Sequence, residues 1–449
     1  MAKIKTIISI LAFFLVSDIH SQTLNTPACD SSKEECFTYE YFGDTNRNGK
    51  AHGKGRMVWE NGLEVEGRWV NGDIVEGRST FSDGSSYEGE YKNYQHHGYG
   101  ERYWPKGGSY KGRWKNGKQH GKGVQIYKGM EDVGIWVIKY DGQFLEDKPN
   151  GNASITYSDG SSYKGKVTDG DRDGYGEYIY PDRESTYKGY WKENKLHGSG
   201  VQQLANGTII DGYWKESLLD GFVKITYENG RTFNGVFKNN KKNGYGEEIL
   251  KDMSSGYKGQ FKDDVWHGQG ELLFYDGSTY IGTFKEGLIT KGRRVFEDGS
   301  TYKGGFKDTL FHGMGSFNST AKKNSYKYTG NFEEGKMSGT GRKIWESEGR
   351  TFQYSGGFKN NAFEGSGDIH LLDENGAIKQ RVYLGDFKNS EYHGNGRMTR
   401  WNGDEITGFI RGKFKDGVPH GDIYDEFTKD GVKTTFTGKY DKGMAKGYA

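Results

Sequence analysis

Eleven histidines are the side chains of this 449-residue sequence best suited to metal binding or acid–base chemistry. Recurrence of a histidine at one turn-like position indicates a structural role; the alternative is a ladder of imidazoles that binds a metal or senses pH. We therefore predict no metal site and no catalytic histidine. Eight histidines share that position, immediately before a glycine: His52, His97, His120, His197, His267, His312, His393 and His420.

Two stretches are similar to the first half of a calcium-binding loop. Residues 169–174 read Asp-Gly-Asp-Arg-Asp-Gly, and residues 44–49 read Asp-Thr-Asn-Arg-Asn-Gly. A complete loop ends in a bidentate carboxylate at its twelfth position, where this chain has Tyr180 and Gly55. We interpret both stretches as polar turns.

The sequence contains none of the motifs that hold a cofactor or activate a nucleophile. It lacks a Walker-type Gly-Lys-Ser/Thr loop, His-Glu-x-x-His, Cys-x-x-Cys and Gly-x-Ser-x-Gly. Its scattered Ser, His and Asp residues show no spacing that singles out a catalytic triad. We predict that the protein is not an enzyme and uses no cofactor.

The N-terminus is typical of a secretory signal peptide. Lys3 and Lys5 precede an apolar run over residues 7–16, and polar residues follow from Ser17. We predict a signal peptide over residues 1–21 and an exported protein that is secreted, periplasmic or at the cell surface; an uncleaved anchor is the alternative. Residues 22–38 then form a polar leader or cap. Cys29 and Cys36 lie in it, and an oxidising compartment allows them to pair, whereas two free thiols are the alternative.

Composition points to a repetitive β-structure. Glycine contributes 72 residues and proline only five, while aromatic residues make up 15%. The mean hydropathy of −0.91 alone would indicate disorder, but disordered chains are poor in aromatic rings. Lys and Arg number 63 against 61 Asp and Glu, and both signs are spread along the chain. That distribution gives no indication of nucleic-acid binding.

A repeat of about 23 residues organises the chain from residue 39 to residue 449, in about seventeen copies that become looser after residue 313. Each copy contains x-Gly-x-Gly, then Asn-Gly or Asp-Gly, then aromatic-x-Gly-x-aromatic. Asn-Gly and Asp-Gly between β-type runs predict tight hairpin turns, here at 61–62, 83–84, 159–160, 206–207, 229–230, 276–277, 298–299 and 402–403. Each unit is thus predicted to be one β-hairpin.

Because strand side chains alternate, the aromatic residues and the central glycine share one face and charged residues share the other. A glycine between two rings leaves a slot in which a neighbouring ring can lie. We predict that the aromatic face packs between repeats, dimerises or binds a ligand. The candidate binding residues are Tyr87, Tyr91, Tyr110, Trp114, Tyr187, Trp191, Tyr257, Phe261, Tyr280, Phe284, Tyr302 and Phe306.

The string Tyr-x-Gly-x-aromatic, Lys-Asn-Gly, His-Gly-x-Gly, as in residues 110–123, resembles the MORN repeat (membrane occupation and recognition nexus). The resemblance covers nearly the whole mature chain. It implies an all-β fold, an elongated single-layer antiparallel sheet of tandem hairpins. It also implies protein–protein scaffolding and, in some members, membrane or phospholipid association.

Three functions follow from these patterns. The first is an exported, non-catalytic scaffold that binds a protein partner along an extended β-surface. The second is a membrane- or phospholipid-associated tether, although a near-neutral charge gives little electrostatic attraction to lipid. The third is a glycan or cell-wall binding protein that stacks sugars on rings such as Trp114 and Trp191.

Overall fold

The computed structural model describes residues 39–128, 134–249, 255–321, 325–402 and 405–446. The predicted signal peptide, the polar leader and the predicted pairing of Cys29 with Cys36 lie outside these residues. The described residues form strands and turns only, and they include no helix long and apolar enough to cross a membrane.

The described part of the chain forms 34 strands. The first sixteen are β1 (Tyr39–Thr45), β2 (Ala51–Trp59), β3 (Glu64–Val70), β4 (Asp73–Thr80), β5 (Ser86–Lys92), β6 (Gln95–Tyr103), β7 (Ser109–Lys115), β8 (Lys118–Ile126), β9 (Val137–Leu145), β10 (Lys148–Tyr157), β11 (Ser162–Thr168), β12 (Asp171–Ile179), β13 (Thr186–Lys192), β14 (Lys195–Gln203), β15 (Ile209–Lys215) and β16 (Leu218–Thr226).

The remaining strands include the longest ones, because β26 to β33 have 10 to 12 residues each. They are β17 (Thr232–Lys238), β18 (Lys241–Ile249), β19 (Gly256–Lys262), β20 (Val265–Leu273), β21 (Thr279–Lys285), β22 (Leu288–Val295), β23 (Thr301–Lys307), β24 (Leu310–Asn318), β25 (Tyr326–Glu333), β26 (Lys336–Ser347), β27 (Arg350–Lys359), β28 (Ala362–Leu372), β29 (Ile378–Lys388), β30 (Glu391–Asn402), β31 (Glu405–Lys415), β32 (Val418–Lys429), β33 (Val432–Asp441) and β34 (Met444–Lys446).

The strands fall into two compact units. The first unit contains the described residues up to 228 together with 237–240, and the second contains 229–236 and the described residues from 241 onward. Within the first unit, each strand from β1 to β16 pairs antiparallel with the next one along the chain. Within the second unit, β18 to β34 pair in the same way. The predicted all-β architecture of tandem antiparallel hairpins is confirmed.

The two-residue turns follow the aromatic strand of a repeat, whereas the predicted dipeptides precede it. Asn116-Gly117 joins β7 to β8 with φ values of 51° and 82°, which is the two-residue turn that matches strand twist. At the predicted dipeptides that the structure describes, only the glycine has a positive φ. The Asn61 side chain accepts a hydrogen bond from the Leu63 amide at 3.1 Å, so it organises a longer loop instead. The predicted hairpins at these dipeptides are confirmed, but the expectation that both residues of the dipeptide take a positive φ was wrong.

A β-bulge explains the glycines of x-Gly-x-Gly. In β7 and β8, Gly112 pairs with Gly123 and Trp114 pairs with Gln119, so residues 120–122 face the single residue Arg113. Gly121, inside the bulge, has a φ of 66°, a left-handed conformation that glycine adopts readily. The first glycine of the motif therefore makes the bulge, and the second resumes the pairing.

A tyrosine hydroxyl satisfies the carbonyl that the bulge leaves unpaired. Tyr110 donates to the Arg113 carbonyl at 2.8 Å. The same tyrosine-to-carbonyl bond, three residues along the strand, is 2.7–3.1 Å long at Tyr87, Tyr140, Tyr163, Tyr187, Tyr257, Tyr302, Tyr328, Tyr354 and Tyr383. Most repeats thus use a tyrosine as their first aromatic residue, and its hydroxyl closes the bulge.

The tyrosine ring lies flat over a pair of glycines, one on each strand. A Cβ atom added to Gly189 would lie 2.5 Å from the Tyr187 hydroxyl, and one added to Gly200 would lie 2.3 Å from it. Gly189 and Gly200 face each other across the strands. Neither position therefore has room for a larger side chain while the ring is present.

Two repeats solve the same packing problem without tyrosine. Val223 faces Gly212, and Ile210 stands where the other repeats have tyrosine. Ile423 faces Gly412 in the same way, and Ile410 stands at the tyrosine position of that repeat. Where a β-branched side chain replaces the second glycine, the tyrosine whose ring would lie over that position is therefore also absent.

We predict that Gly200→Val destabilises the protein and that Tyr187→Ile in the same chain restores much of the loss. The valine would overlap the ring, which costs more than about 2 kcal/mol of unfolding free energy. The double variant reproduces the Ile210–Val223 arrangement. Urea unfolding followed by tryptophan fluorescence measures the three variants. Simple addition of the two single effects would contradict this packing rule.

Candidate functional site

The twelve rings predicted to bind a ligand are all buried, with at most 7% of any one exposed. They pack edge to face along each strand. The ring centroids of Tyr110 and Trp114 are 5.0 Å apart at 86°, and those of Tyr302 and Phe306 are 5.1 Å apart at 83°. Such pairs stabilise a core beyond the area that they bury. In this structure the rings form the interior of the repeats, and their role in binding stays a prediction.

The polar atoms of this aromatic face are also used internally. The indole nitrogen of Trp114 donates to the Gly100 carbonyl at 3.2 Å, and that of Trp69 donates to the Gly55 carbonyl at 3.0 Å. Together with the tyrosine bonds to the bulge carbonyls, these contacts leave few polar groups on the face for a ligand.

A second inward position follows the tight turns, and in several repeats its side chain stacks on the tyrosine. His96 lies parallel to Tyr87, with ring centroids 3.7 Å apart, and Phe311 lies parallel to Tyr302 at 3.8 Å. Burial lowers the pKa of His96 to about 3, so this imidazole is neutral at physiological pH. The sequence analysis missed this position because its residue type varies from repeat to repeat. Its only signal is that it directly precedes the repeated histidine.

Arg172 occupies this stacking position with a charge. Its guanidinium carbon lies 4.3 Å from the ring centroid of Trp191 and 5.0 Å from that of Tyr178. The Asn194 carbonyl accepts a hydrogen bond from the guanidinium at 3.2 Å. Cation–π contacts and amide oxygens therefore hold this buried cation.

The repeated histidines lie in the bulges. The Nδ1 atoms of His97, His120 and His197 are buried and have no hydrogen-bond partner in the described structure. Across the described ranges, no group of three or more His, Cys, Asp or Glu residues is placed to hold a metal ion. Of the two calcium-like stretches, Asp169-Gly170 forms the tight turn between β11 and β12.

The charged face carries its own aromatic residues, which the sequence analysis did not single out. Tyr175, Tyr190, Tyr213 and Phe222 are 60%, 49%, 48% and 61% exposed. They lie on β12, β13, β15 and β16 of the first unit, and we call them the outer ring row. Tyr175 faces Tyr190 across the strands, with ring centroids 5.6 Å apart.

The surroundings of the outer ring row are polar and electrically balanced. Lys188 and Glu177 form an ion pair at 3.0 Å on the same face. Each of the four rings directly follows a glycine of the repeat, as in Gly174-Tyr175-Gly176. That position is charged or polar in most other copies, so an aromatic residue there is the signal that could have identified the row.

Comparison with known proteins agrees with this architecture. Twelve segments match the MORN repeat family and together cover more than half of the chain. The chain belongs to the MORN repeat family. The matching segments are residues 47–64, 87–109, 110–129, 140–162, 163–184, 187–209, 233–252, 257–279, 302–319, 328–350, 354–370 and 383–405.

Alsin is among the relatives of this chain. Mouse alsin is 31% identical over 169 residues, which is 35% of this chain and 10% of alsin. Human alsin is 32% identical over 156 residues, which is 32% of this chain and 9% of alsin. The matched region thus spans about a tenth of the relatives' length. A Drosophila melanogaster structure, the SAS-4 TCP domain in complex with a proline-rich motif of Ana2, matches 52% of this chain and 90% of its own at 13% identity, and its TM-score of 0.19 supports no structural argument.

We predict that alkaline pH unfolds the protein through its buried tyrosines. Burial raises the pKa of Tyr257 and Tyr302 to about 12 from an ordinary value of 10.0. A raised pKa stabilises the fold fully below pH 10, and that contribution is lost as the pH rises toward about 12. The unfolding free energy should therefore fall steeply above about pH 10 in urea titrations.

The matched test replaces tyrosine by phenylalanine, which Phe233 already provides naturally in one repeat. Tyr257→Phe with Tyr302→Phe should make the alkaline fall shallower, while two lost hydrogen bonds cost about 1 kcal/mol each at neutral pH. Tyr275→Phe is the control because Tyr275 is 83% exposed. An unchanged alkaline profile in the double variant would contradict the assignment.

Proposed function

We propose that this chain is an exported, non-catalytic scaffold that binds a protein partner through the outer ring row. The observation that carries the proposal is the exposure of four large rings on β12, β13, β15 and β16 of one unit. Exposed aromatic clusters rimmed by polar residues mark interaction surfaces more often than chance. Tyrosine also supplies a large contact area at a low cost in side-chain entropy.

The repeat architecture supports the scaffold function. Membership in the MORN repeat family indicates a repeat scaffold, and Tyr175, Tyr190 and Tyr213 each stand on a strand that is hydrogen-bonded to a strand on either side. A surface fixed in this way loses little freedom when a partner binds. The absence of a recognisable catalytic motif in the sequence supports the non-catalytic part of the proposal.

A protein partner is favoured over a membrane surface by charge. The chain carries 63 Lys and Arg against 61 Asp and Glu, and the Lys188–Glu177 ion pair beside the outer ring row has no net charge. Attraction to anionic lipid depends on clusters of basic residues. Lipid association is therefore the second candidate, and it rests on the family resemblance.

We predict that a photo-reactive amino acid at position 213 cross-links the partner in the native host. In a tagged chain, the triple variant Tyr175→Ser/Tyr190→Ser/Tyr213→Ser should lower recovery of that partner at least about tenfold, because it removes the exposed rings. Mass spectrometry identifies the cross-linked protein and then quantifies how much of it each tagged chain recovers without cross-linking.

The control for this experiment removes exposed rings elsewhere. Tyr103→Ser/Tyr275→Ser alters side chains that are 48% and 83% exposed and should leave recovery unchanged. Equal losses in both variants, or none in the triple variant, would refute the outer ring row as the interface. Vesicles containing phosphatidylserine that pellet the chain equally well with and without the rings would favour the membrane alternative.

Export makes a separate prediction. The basic start and apolar run over residues 7–16 support cleavage after Ser21. N-terminal sequencing of the protein from its native host should begin at Gln22. A protein that retains residues 1–21 and stays in the cytoplasm would contradict export without affecting the proposed interface.

A further inference from the structure

A cavity on the second unit has a chemistry different from that of the outer ring row. It encloses about 700 Å³ and lies over β31, β32 and β33. Five side chains of the outward face line it: Phe409, Arg411, Asp422, Tyr424 and Thr437. Gly412, Ile423 and Gly438, the inward-facing positions of the same three strands, complete the lining. Its volume lies in the range of small-molecule sites.

Two aromatic rings form one wall of the cavity. The rings of Phe409 and Tyr424 are 5.6 Å apart between centroids and inclined by only 32°, in contrast to the edge-to-face pairs of the interior. The Arg397 guanidinium lies 4.1 Å from the centroid of Phe409. The Tyr424 hydroxyl donates to Glu426 at 3.0 Å, and Lys433 pairs with Glu426 at 3.0 Å. Both rings are therefore held in place before any ligand arrives.

Hydrogen-bonding groups line the rest of the cavity. Arg411 and Asp422 are exposed, as is Thr437. Within the described residues, neither Arg411 nor Asp422 belongs to an ion pair. The guanidinium offers donors, the carboxylate offers acceptors and the threonine hydroxyl offers both. The lining therefore carries one positive and one negative charge and has no net charge.

A similar cavity in the first unit shows which of these features are particular to this site. It encloses about 750 Å³ over β2 to β5, and four glycines, Gly55, Gly67, Gly77 and Gly89, help to line it. Its other residues are charged, apart from Phe42, and Arg56 there is paired with Glu64. Glycine-lined cavities thus recur on this fold, whereas the near-parallel ring pair beside an unpaired Arg and Asp belongs to the second unit.

We propose that the cavity formed by Phe409, Arg411, Asp422, Tyr424 and Thr437 binds an uncharged oligosaccharide. The C–H face of a pyranose ring packs on an aromatic ring, and its hydroxyls both donate and accept hydrogen bonds. Tyr424 supplies the ring for the first requirement, because the Arg397 guanidinium covers one face of Phe409. The unpaired guanidinium of Arg411 and the carboxylate of Asp422 meet the second. This binding is independent of the proposed protein interface, which lies in the other unit.

Isothermal titration calorimetry of the mature chain with cellotetraose, tetra-N-acetylchitotetraose and maltotetraose tests the proposal. At least one of the three should bind. Tyr424→Ala and Arg411→Ala should each weaken that binding at least about tenfold, which is a loss of about 1.4 kcal/mol. Tyr424→Phe keeps the ring and should retain most of the affinity. Tyr275→Ala, which removes an exposed tyrosine outside the cavity, should leave it unchanged.

A second measurement needs no substitution. In a chain with isotope-labelled threonine methyl groups, the oligosaccharide that binds should shift the Thr437 resonance and leave Thr80, on the first unit, unshifted. No binding of any of the three sugars at millimolar concentration would overturn the proposal. Binding that leaves Thr437 unshifted and survives Tyr424→Ala would also overturn it, as would a site that takes free glutamate or another zwitterion instead.

Discussion

The hydrogen bond from a tyrosine hydroxyl to the carbonyl freed by a bulge is the interaction on which most of the repeats depend. The bulge places three residues opposite one, so it leaves a backbone carbonyl without a partner on the neighbouring strand. The ring that supplies the missing donor lies across both strands, and the two residues beneath it are glycines, or Gly142 and Ala153 in the case of Tyr140. Where Val223 or Ile423 replaces one of these small residues, the bulge remains but the tyrosine is absent. The tyrosine and its small facing residues are therefore one device.

This device explains how the aromatic face is buried without a second layer of secondary structure within a unit. Each ring covers the glycines of its own strand and the next, and the following aromatic residue packs against its edge. Burial is thus achieved locally, from neighbour to neighbour, as in other repeat proteins. The residues of the charged face do not take part in this packing, so their types can vary without loss of the fold. The outer ring row and the cavity near Tyr424 lie on this face.

The sequence predicted the repeat, the antiparallel hairpins and the face on which the twelve rings lie. It left open whether these rings pack between repeats, dimerise or bind a ligand, because a count of apolar residues does not show that successive strands can bury their own face. It misplaced the tight turns because Asn-Gly fits both a two-residue turn and a loop ordered by its own side chain, as at Asn61. The location of the histidines before a glycine showed that they share one repeat position, but it did not predict the β-bulge in which they lie.

The candidate sites were less accessible to prediction than the fold. Tyr175 and Tyr190 stand at positions that alternation assigns to solvent, and only their exposure identifies them as a surface. The cavity around Tyr424 requires residues from three strands, and the bulge in β31 and β32 shifts which of them face one another. The spacing of residues within one strand therefore does not predict which side chains meet in the cavity.

The location of the tight turns sets the natural boundary of a module. Tyr187 lies over Gly189 on its own strand and Gly200 on the next, and only the tight turn at 193–194 separates these two strands. The loops of four or five residues carry no such shared ring. Gene duplication or laboratory recombination that cuts in these loops would move a complete tyrosine–glycine device. A cut at the tight turns would separate each ring from one of its glycines. A chain of this kind can therefore gain a complete repeat only if the inserted segment begins with the aromatic strand.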